Sequence, residues 1–220
     1  MTRNSSGASS AAAIEKLLGA LSVTASDAAR ERLRRYLELV LEWGPRMDLT
    51  AARSDDELLD LSLADAAVIA REELVHPDGP ERWLDIGTGG GAPGIPLFIL
   101  LGDARPSLTG SLVEPRTKRV MFLRTCVGEL GLDRIDVKRV RSDVLPAGDA
   151  EAAVARATLP PPEWLAEGTR LATRAVWVLL AREPAPSHPG WVVDHDVSYT
   201  WPFTGAARRA LRYVPVRPTG

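Results

Sequence analysis

The chain reads as an α/β protein, with a doubly wound mixed sheet behind an N-terminal helical extension. Three observations carry this reading. From residue 82 onward, short apolar strand segments alternate with helical segments, the pattern of βαβ units and a parallel sheet. A glycine cluster lies between the first strand and the helix after it, where open α/β sheets hold ligands. Two amphipathic helical segments precede that strand, and their apolar faces must be buried.

In chain order, residues 1–13 are polar, small and Ser/Ala-rich, and are expected as a disordered tail without the apolar stretch of a secretion signal. Residues 14–80 form the helical extension. Leu33, Tyr36, Leu37, Val40 and Leu41 mark one face of a helix over Ala28–Trp43, which Gly44-Pro45 is expected to end. Ser54-Asp55-Asp56-Glu57 has capping-box form and opens a helix from Asp55 to about Leu74. Pro77–Pro80 is a turn-rich linker.

Residues 81–220 form the sheet domain. Its strands are Arg82–Ile86, Leu108–Val113, Ile135–Val140, a weak Ala152–Ala155 and Ala175–Ala181. Its helices are Ala92–Leu101, with Pro93 and Pro96 near the first turn, Arg116–Leu130, stopped by Gly131, and Pro162–Leu171. After the Pro-rich loop 184–189, Trp191–Tyr199 and Ala207–Val216 fit a closing antiparallel pair at the sheet edge.

Composition sets the class. The 220 residues are 45% hydrophobic and 25% charged, ordinary for a globular protein. No apolar run reaches the roughly 18–20 residues that cross a bilayer. Cys126 is the single cysteine, so no internal disulfide forms, which fits a reducing cytoplasm. The net charge of -2 divides unevenly: residues 1–80 carry 14 acids and 9 bases, residues 81–220 carry 15 acids and 18 bases. Residues 105–141 hold nine bases against four acids, and residues 197–220 hold four arginines and no acid. Such clusters can neutralise phosphates, although arginines on solvated faces are the default reading.

The most informative segment is Asp85-Ile86-Gly87-Thr88-Gly89-Gly90-Gly91. Its glycines permit a sharp turn and bring bare backbone against a ligand, with helix N–H groups behind. Gly89-x-Gly91-x-x-Gly94 also satisfies the dinucleotide pattern, so a nicotinamide enzyme stays open. The acid two residues before the first glycine is more specific and resembles the cofactor loop of class I (Rossmann-like) methyltransferases. Glu114 closes the second strand, where such enzymes place an acid for ribose hydroxyls. The plain structural alternatives are Asp85 as a helix N-cap and Glu114 as a turn residue.

A closer resemblance runs from about Leu33 to Arg182. It is carried by Trp43 with Leu49-Thr50, by Leu84-Asp85-Ile86-Gly87-Thr88-Gly89 with Gly91, and by Pro93-Gly94-Ile95-Pro96. Lys118-Arg119, Phe122-Leu123, Arg141 and Ala155-Arg156-Ala157 complete it. On these residues the chain resembles the bacterial small-subunit ribosomal RNA methyltransferase G family, also called glucose-inhibited division protein B. The resemblance implies S-adenosylmethionine as cofactor and N7 of a guanine in 16S ribosomal RNA as acceptor. It places Asp85, Gly87, Thr88, Gly89, Gly91, Glu114 and Arg141 at the cofactor. It puts Arg156 beside the methyl donor as the catalytic candidate, and Lys118 and Arg119 toward RNA. The partner would be ribosomal RNA or the small ribosomal subunit, and the protein is expected to be a cytoplasmic monomer. The chain departs from the family pattern at Asp48, at Leu61-Ser62 before Asp65, where the resemblance implies Arg-His, at Ala155 and around Leu180-Ala181-Arg182. These departures concern the RNA side and leave the cofactor side intact. Two other readings therefore remain: a methyltransferase of the same fold acting on a small molecule or protein, and a non-catalytic cofactor-binding paralogue.

Methyl transfer to a ring nitrogen with a free lone pair needs alignment of donor and acceptor rather than a general base. Arg156 could hydrogen-bond or stack on a base, or could form an ion pair with Glu114 or Asp85. His76, His188 and His195 lack metal-ligand spacing and read as surface residues, so no metal is expected. Cys126 reads as a small buried hydrophobe, and the six scattered tryptophans read as packing residues.

Overall fold

The computed structural model describes residues 4–47 and 49–216. Residues 1–3 of the expected tail, Asp48 and Arg217 lie outside them. The chain runs α1 (Asn4–Ala20), α2 (Asp27–Met47), α3 (Asp55–Leu59), a π-turn (Asp60–Ala64) and α4 (Asp65–Leu74). The sheet domain follows: β1 (Arg82–Ile86), α5 (Gly94–Ala104), β2 (Thr109–Val113), α6 (Thr117–Glu129) and β3 (Ile135–Lys138). A short 3-10 turn (Ser142–Val144) leads to β4 (Ala150–Ala155), α7 (Pro161–Leu171), β5 (Ala172–Leu180), β6 (Trp191–Thr200) and β7 (Ala207–Pro215).

The strands form a seven-stranded sheet in the order β3-β2-β1-β4-β5-β7-β6. β7 runs antiparallel to both β5 and β6, and the other pairings are parallel. The expected mixed, doubly wound sheet is thus present, with the closing pair at one edge. Strand order reverses between β1 and β4, the position at which such sheets open a crevice at their carboxyl ends.

Side-chain alternation sorts the two faces. Trp83, Leu112, Ala152, Val154 and Trp177 join the core shared with α1, α2, α4, α5 and α6. Leu84, Ile86, Val113, Ala153 and Val176 face the opposite core, which α7 covers through Trp164, Leu165 and Leu171. The N-terminal helices therefore pack on the sheet domain, as their apolar faces require.

The structure corrects three local expectations. The segment expected as a tail is helical from Asn4, and Ile14, Leu17 and Leu18 bury its end in the main core. The alanines of this Ser/Ala-rich segment are also strong helix formers. Gly44-Pro45 does not end α2, which continues to Met47. A proline in the last turn forfeits its own N–H bond to the preceding turn, a local loss that burial of the rest of the helix offsets. The helix opened by Ser54 contains a π-turn before α4. Ser54 Oγ accepts the Glu57 amide at 3.2 Å, and Glu57 Oε2 accepts the Arg53 amide at 2.8 Å, so the capping expectation holds at its start.

Candidate functional site

Three strand ends build the site. In register, Ile86 pairs with Val113 on one side and Ala155 on the other. Gly87, Glu114 and Arg156 therefore leave the sheet side by side. Above them lies a cavity of about 440 Å³, within the usual range for small-molecule sites. Its floor includes Gly87, Thr88, Gly89 and Gly90; its walls include Glu114, Arg119, Arg156 and Thr158. Tyr36 and Val40 of α2, Leu49-Thr50, and Leu61-Ser62 of the π-turn close it from the helical extension.

Asp85 is fully buried beneath the loop rather than exposed in the cavity. Its Oδ2 accepts the Thr88 hydroxyl at 2.5 Å and the Gly94 amide at 2.9 Å. Its Oδ1 is buried with no hydrogen-bond partner among the described residues. Burial pushes the carboxyl up to about 6, against the bonds from Thr88 and Gly94 and the charge of Arg156. Gly91 has φ +93°, which side-chain-bearing residues rarely adopt, and so lets the chain turn from loop into α5.

Glu114 is nearly buried, yet its carboxylate borders the cavity. Oε2 accepts the Gly89 amide at 3.2 Å, Oε1 accepts the Arg116 amide at 2.9 Å, and Arg119 Nη1 lies 3.8 Å from Oε2. One carboxylate thus joins the glycine loop to the start of α6. On the other wall, Arg156 Nη1 donates to Leu61 O and lies 3.3 Å from Asp65 Oδ2. The guanidinium has its acid partner, but this is Asp65 and neither Glu114 nor Asp85.

The structure brings together Gly87, Thr88, Gly89, Glu114, Arg119 and Arg156. Arg141 is apart: its side chain is 78% exposed, pairs with Asp143 at 3.5 Å and does not line the cavity. Lys118 is exposed on α6, next in sequence to the lining residue Arg119, and does not itself line the cavity. Sequence reasoning missed Tyr36, whose hydroxyl donates to Gly90 O at 2.8 Å, and Thr158, whose hydroxyl donates to Ile86 O at 3.0 Å. Burial drives the Tyr36 hydroxyl above its ordinary range, keeping it a neutral donor. Its helical spacing marked only a core position; no local pattern signals a bond to a residue 54 positions away.

Cys126 is buried, with its thiol pushed up to about 12 by desolvation, as a packing residue requires. His76 and His195 meet at 3.1 Å between their Nε2 atoms, with His195 Nδ1 3.3 Å from Glu72 Oε2. They tie the end of α4 to β6 rather than standing alone on the surface. Among the described residues, no group of three or more His, Cys, Asp or Glu could hold a metal ion, and no helix is long and apolar enough to cross a membrane.

Residues 29–178 match the family described as rRNA small subunit methyltransferase G. The ribosomal RNA small subunit methyltransferase G of Halorhodospira halophila is 35% identical over 147 residues, 67% of this chain and 66% of that protein. Its counterpart from a Neisseria meningitidis serogroup C strain is 32% identical over 140 residues, 64% of each chain. The matched part of the chain thus spans about two thirds of the length of these relatives, 66% and 64%. Among solved structures, a Klebsiella pneumoniae protein provisionally assigned as an O-methyltransferase superposes with a TM-score of 0.60 at 15% identity. That superposition covers 96% of this chain and 100% of the other. It shows a shared fold, the class I methyltransferase architecture.

Proposed function

The chain belongs to the rRNA small subunit methyltransferase G family, and on that premise we propose that it methylates N7 of a guanine in small-subunit ribosomal RNA, with S-adenosylmethionine as donor. The observation that carries the reading is the convergence of the glycine loop, Glu114 and Arg156 on one cavity at the strand ends.

The residues present fit such a donor. Gly89 leaves the loop without a side chain at the cavity, with the Arg119 guanidinium 3.5 Å from where a Cβ would stand. Glu114 supplies a charged acceptor suited to a pair of ribose hydroxyls. Asp85 lies beneath the loop and outside the cavity lining, so it serves the donor only through the loop it holds and not as the direct contact expected of it. When bound, the donor supplies an electrophilic methyl on a sulfonium. Gly87, Thr88 and Gly89 hold the donor, and Asp85 acts by fixing their loop through Thr88 and Gly94. Gly91 serves that same turn.

Guanine N7 already carries a lone pair, so the site needs no base to take a proton. What the chain contributes is alignment and exclusion of water, which can lower a barrier by roughly 7–11 kcal/mol at best. Tyr36, Val40 and Leu61 supply the apolar cover. Arg156, held from behind, presents its guanidinium to the acceptor base. Arg116, Lys118 and Arg119 at the start of α6 contact RNA phosphates, while Arg141, outside the cavity, has no place in this scheme. The protein works in the cytoplasm on the ribosomal subunit or its RNA.

Leu61 and Ser62 favour a second reading. They line the cavity where the family resemblance implies Arg-His, so the acceptor wall lacks two cationic side chains. A smaller or less anionic acceptor would suit that wall. One experiment separates the two readings: labelled donor is given to small ribosomal subunits lacking the guanine N7 modification, and the product nucleosides are identified. Label at guanine N7 is the expected result. No label in RNA, with cofactor binding demonstrated, would overturn the reading and turn attention to other acceptors.

A further inference from the structure

Arg156 is set by a device that reaches from the far edge of the sheet. Asp65, at the start of α4, is 2% exposed. Its Oδ1 accepts the Tyr199 hydroxyl at 2.7 Å, from the end of β6, and the Trp201 indole N–H at 2.9 Å, from the residue just after that strand. Its Oδ2 faces Arg156 Nη1 at 3.3 Å. The same guanidinium nitrogen donates to Leu61 O in the π-turn, so one turn of chain supplies both acceptors. π-turns within helices frequently mark functional positions.

A second acid in this segment does a different job. Asp60 is fully buried and accepts the Phe203 and Thr204 amides and the Thr204 hydroxyl. It anchors the β6–β7 connection without bonding to Arg156. Anchoring alone therefore does not require Asp65 to face Arg156. What Asp65 adds is a fixed, charged acceptor for a guanidinium on the cavity wall. An arginine side chain loses much rotamer freedom when held, and a preformed partner meets that cost before any acceptor arrives.

We propose that Asp65 is the positioning residue for Arg156, and that the Tyr199 and Trp201 side chains hold Asp65 in place for that task. This rests on the reading of Arg156 as the acceptor-side group. Asp65→Asn keeps the shape and removes the charge. Tyr199→Phe removes one bond to Asp65 and leaves Arg156 itself untouched. Asp60→Asn serves as the control for anchoring alone.

Two readouts decide the matter. The first is methyl transfer at saturating donor, separated into kcat and KM. Asp65→Asn is expected to lower kcat about tenfold or more while the donor KM stays close to wild type, the signature of misplacement rather than lost binding. Tyr199→Phe follows in the same direction with a smaller drop, and Asp60→Asn lowers only the melting temperature. The second readout needs no turnover: the rate at which an arginine-directed dicarbonyl modifies Arg156, followed by peptide mass. That rate is expected to rise severalfold in Asp65→Asn and to a lesser degree in Tyr199→Phe, and to stay at the wild-type value in Asp60→Asn.

Unchanged Arg156 modification in folded Asp65→Asn would overturn the proposal. If Asp65→Asn does not fold, an unchanged rate in Tyr199→Phe would do the same. A wild-type protein that methylates no RNA would defeat the functional reading alone, because the modification rates still test the positioning.

Discussion

Asp85 and Gly94 meet beneath the glycine loop: the carboxylate accepts the Gly94 amide at 2.9 Å, at the first residue of α5. The bond ties the end of β1 to the helix that the loop must enter. It also holds a carboxyl in a fully buried place, where its second oxygen finds no partner among the described residues.

That placement makes Asp85 a source of pH-dependent stability. Desolvation raises its carboxyl from 3.8 to about 6 in the folded chain. Between those values the native state holds a proton that the unfolded state has released. Stability from this group therefore falls as pH rises from about 4 to about 6 and then levels off, by at most on the order of 3 kcal/mol. Asp85→Asn abolishes the titration. Urea unfolding of both proteins across this range is expected to show the variant gaining on wild type as pH rises. Parallel profiles would show that the buried carboxyl is not the source.

The glycine loop is constrained from the helical extension as well. A Cβ at Gly90 would stand 2.6 Å from Leu49 O, a backbone atom that cannot swing aside. Gly90 O also accepts the Tyr36 hydroxyl, so loop, α2 and the segment after α2 are locked together. Gly90→Ala should cost about 1–3 kcal/mol and weaken donor binding by displacing the cavity floor. Gly128→Ala is the matched comparison: a Cβ added there would meet nothing within 4 Å among the described residues beyond its own helix backbone, and the position is on the exposed face of α6. There the substitution should stabilise, by up to about 1 kcal/mol. Thermal melts and donor titrations check both signs, and equal effects at the two positions would refute the close-approach argument.

Legibility in the sequence followed the range of the interactions. β1 and the loop after it were readable because strand, glycine turn and helix lie within about a dozen residues and obey local rules. Glu114 was readable from its place after a strand. Tyr36, Thr158 and Asp65 were not, because their roles depend on bonds to Gly90, Ile86 and Tyr199, which only the tertiary fold brings near. The helix over Asn4–Ala20 was missed for another reason: local composition resembled a tail, and its ordering depends on burial of Ile14, Leu17 and Leu18 at one end. For Arg156 an ion pair with Glu114 or Asp85 was one of two open readings, and the acid it meets is neither of these but Asp65, from the helical extension instead of a neighbouring strand end.

A buried ion pair far from the cavity offers a test of the fold alone. Glu73 is fully buried, and its Oε1 accepts Arg212 Nε and Trp177 Nε1, each at 2.8 Å. Arg212 also reaches Asp194 on β6, so α4, β5, β6 and β7 meet at one point. Arg212→Ala strips the charge partner and leaves a desolvated carboxylate, at a cost of about 3–5 kcal/mol. Replacing both residues, Glu73→Gln with Arg212→Met, should recover much of that loss, because the one carboxylate then left without its partner, Asp194, is exposed to solvent. Denaturation of the two variants measures the difference, and equal losses would mean that the charge of Glu73 is compensated by other groups.

Glu114 gives the most direct test of the proposed donor site. Its two oxygens already hold the Gly89 and Arg116 amides, so its position is fixed by backbone on both sides. A ribose hydroxyl pair would add bonds to a charged acceptor, each worth about 1.5–3 kcal/mol against about 0.5–1.5 for a neutral one. Glu114→Gln retains the shape, gives up the charge and can accept at only one oxygen. Donor affinity is expected to fall about tenfold per hydroxyl bond weakened in this way. Calorimetric titration with S-adenosylmethionine measures the loss, and a melting curve without donor measures any damage to the loop itself. A folded variant with wild-type affinity would remove Glu114 from the donor site. Weaker binding with an unchanged melting temperature would place its charge against the ligand rather than in the scaffold.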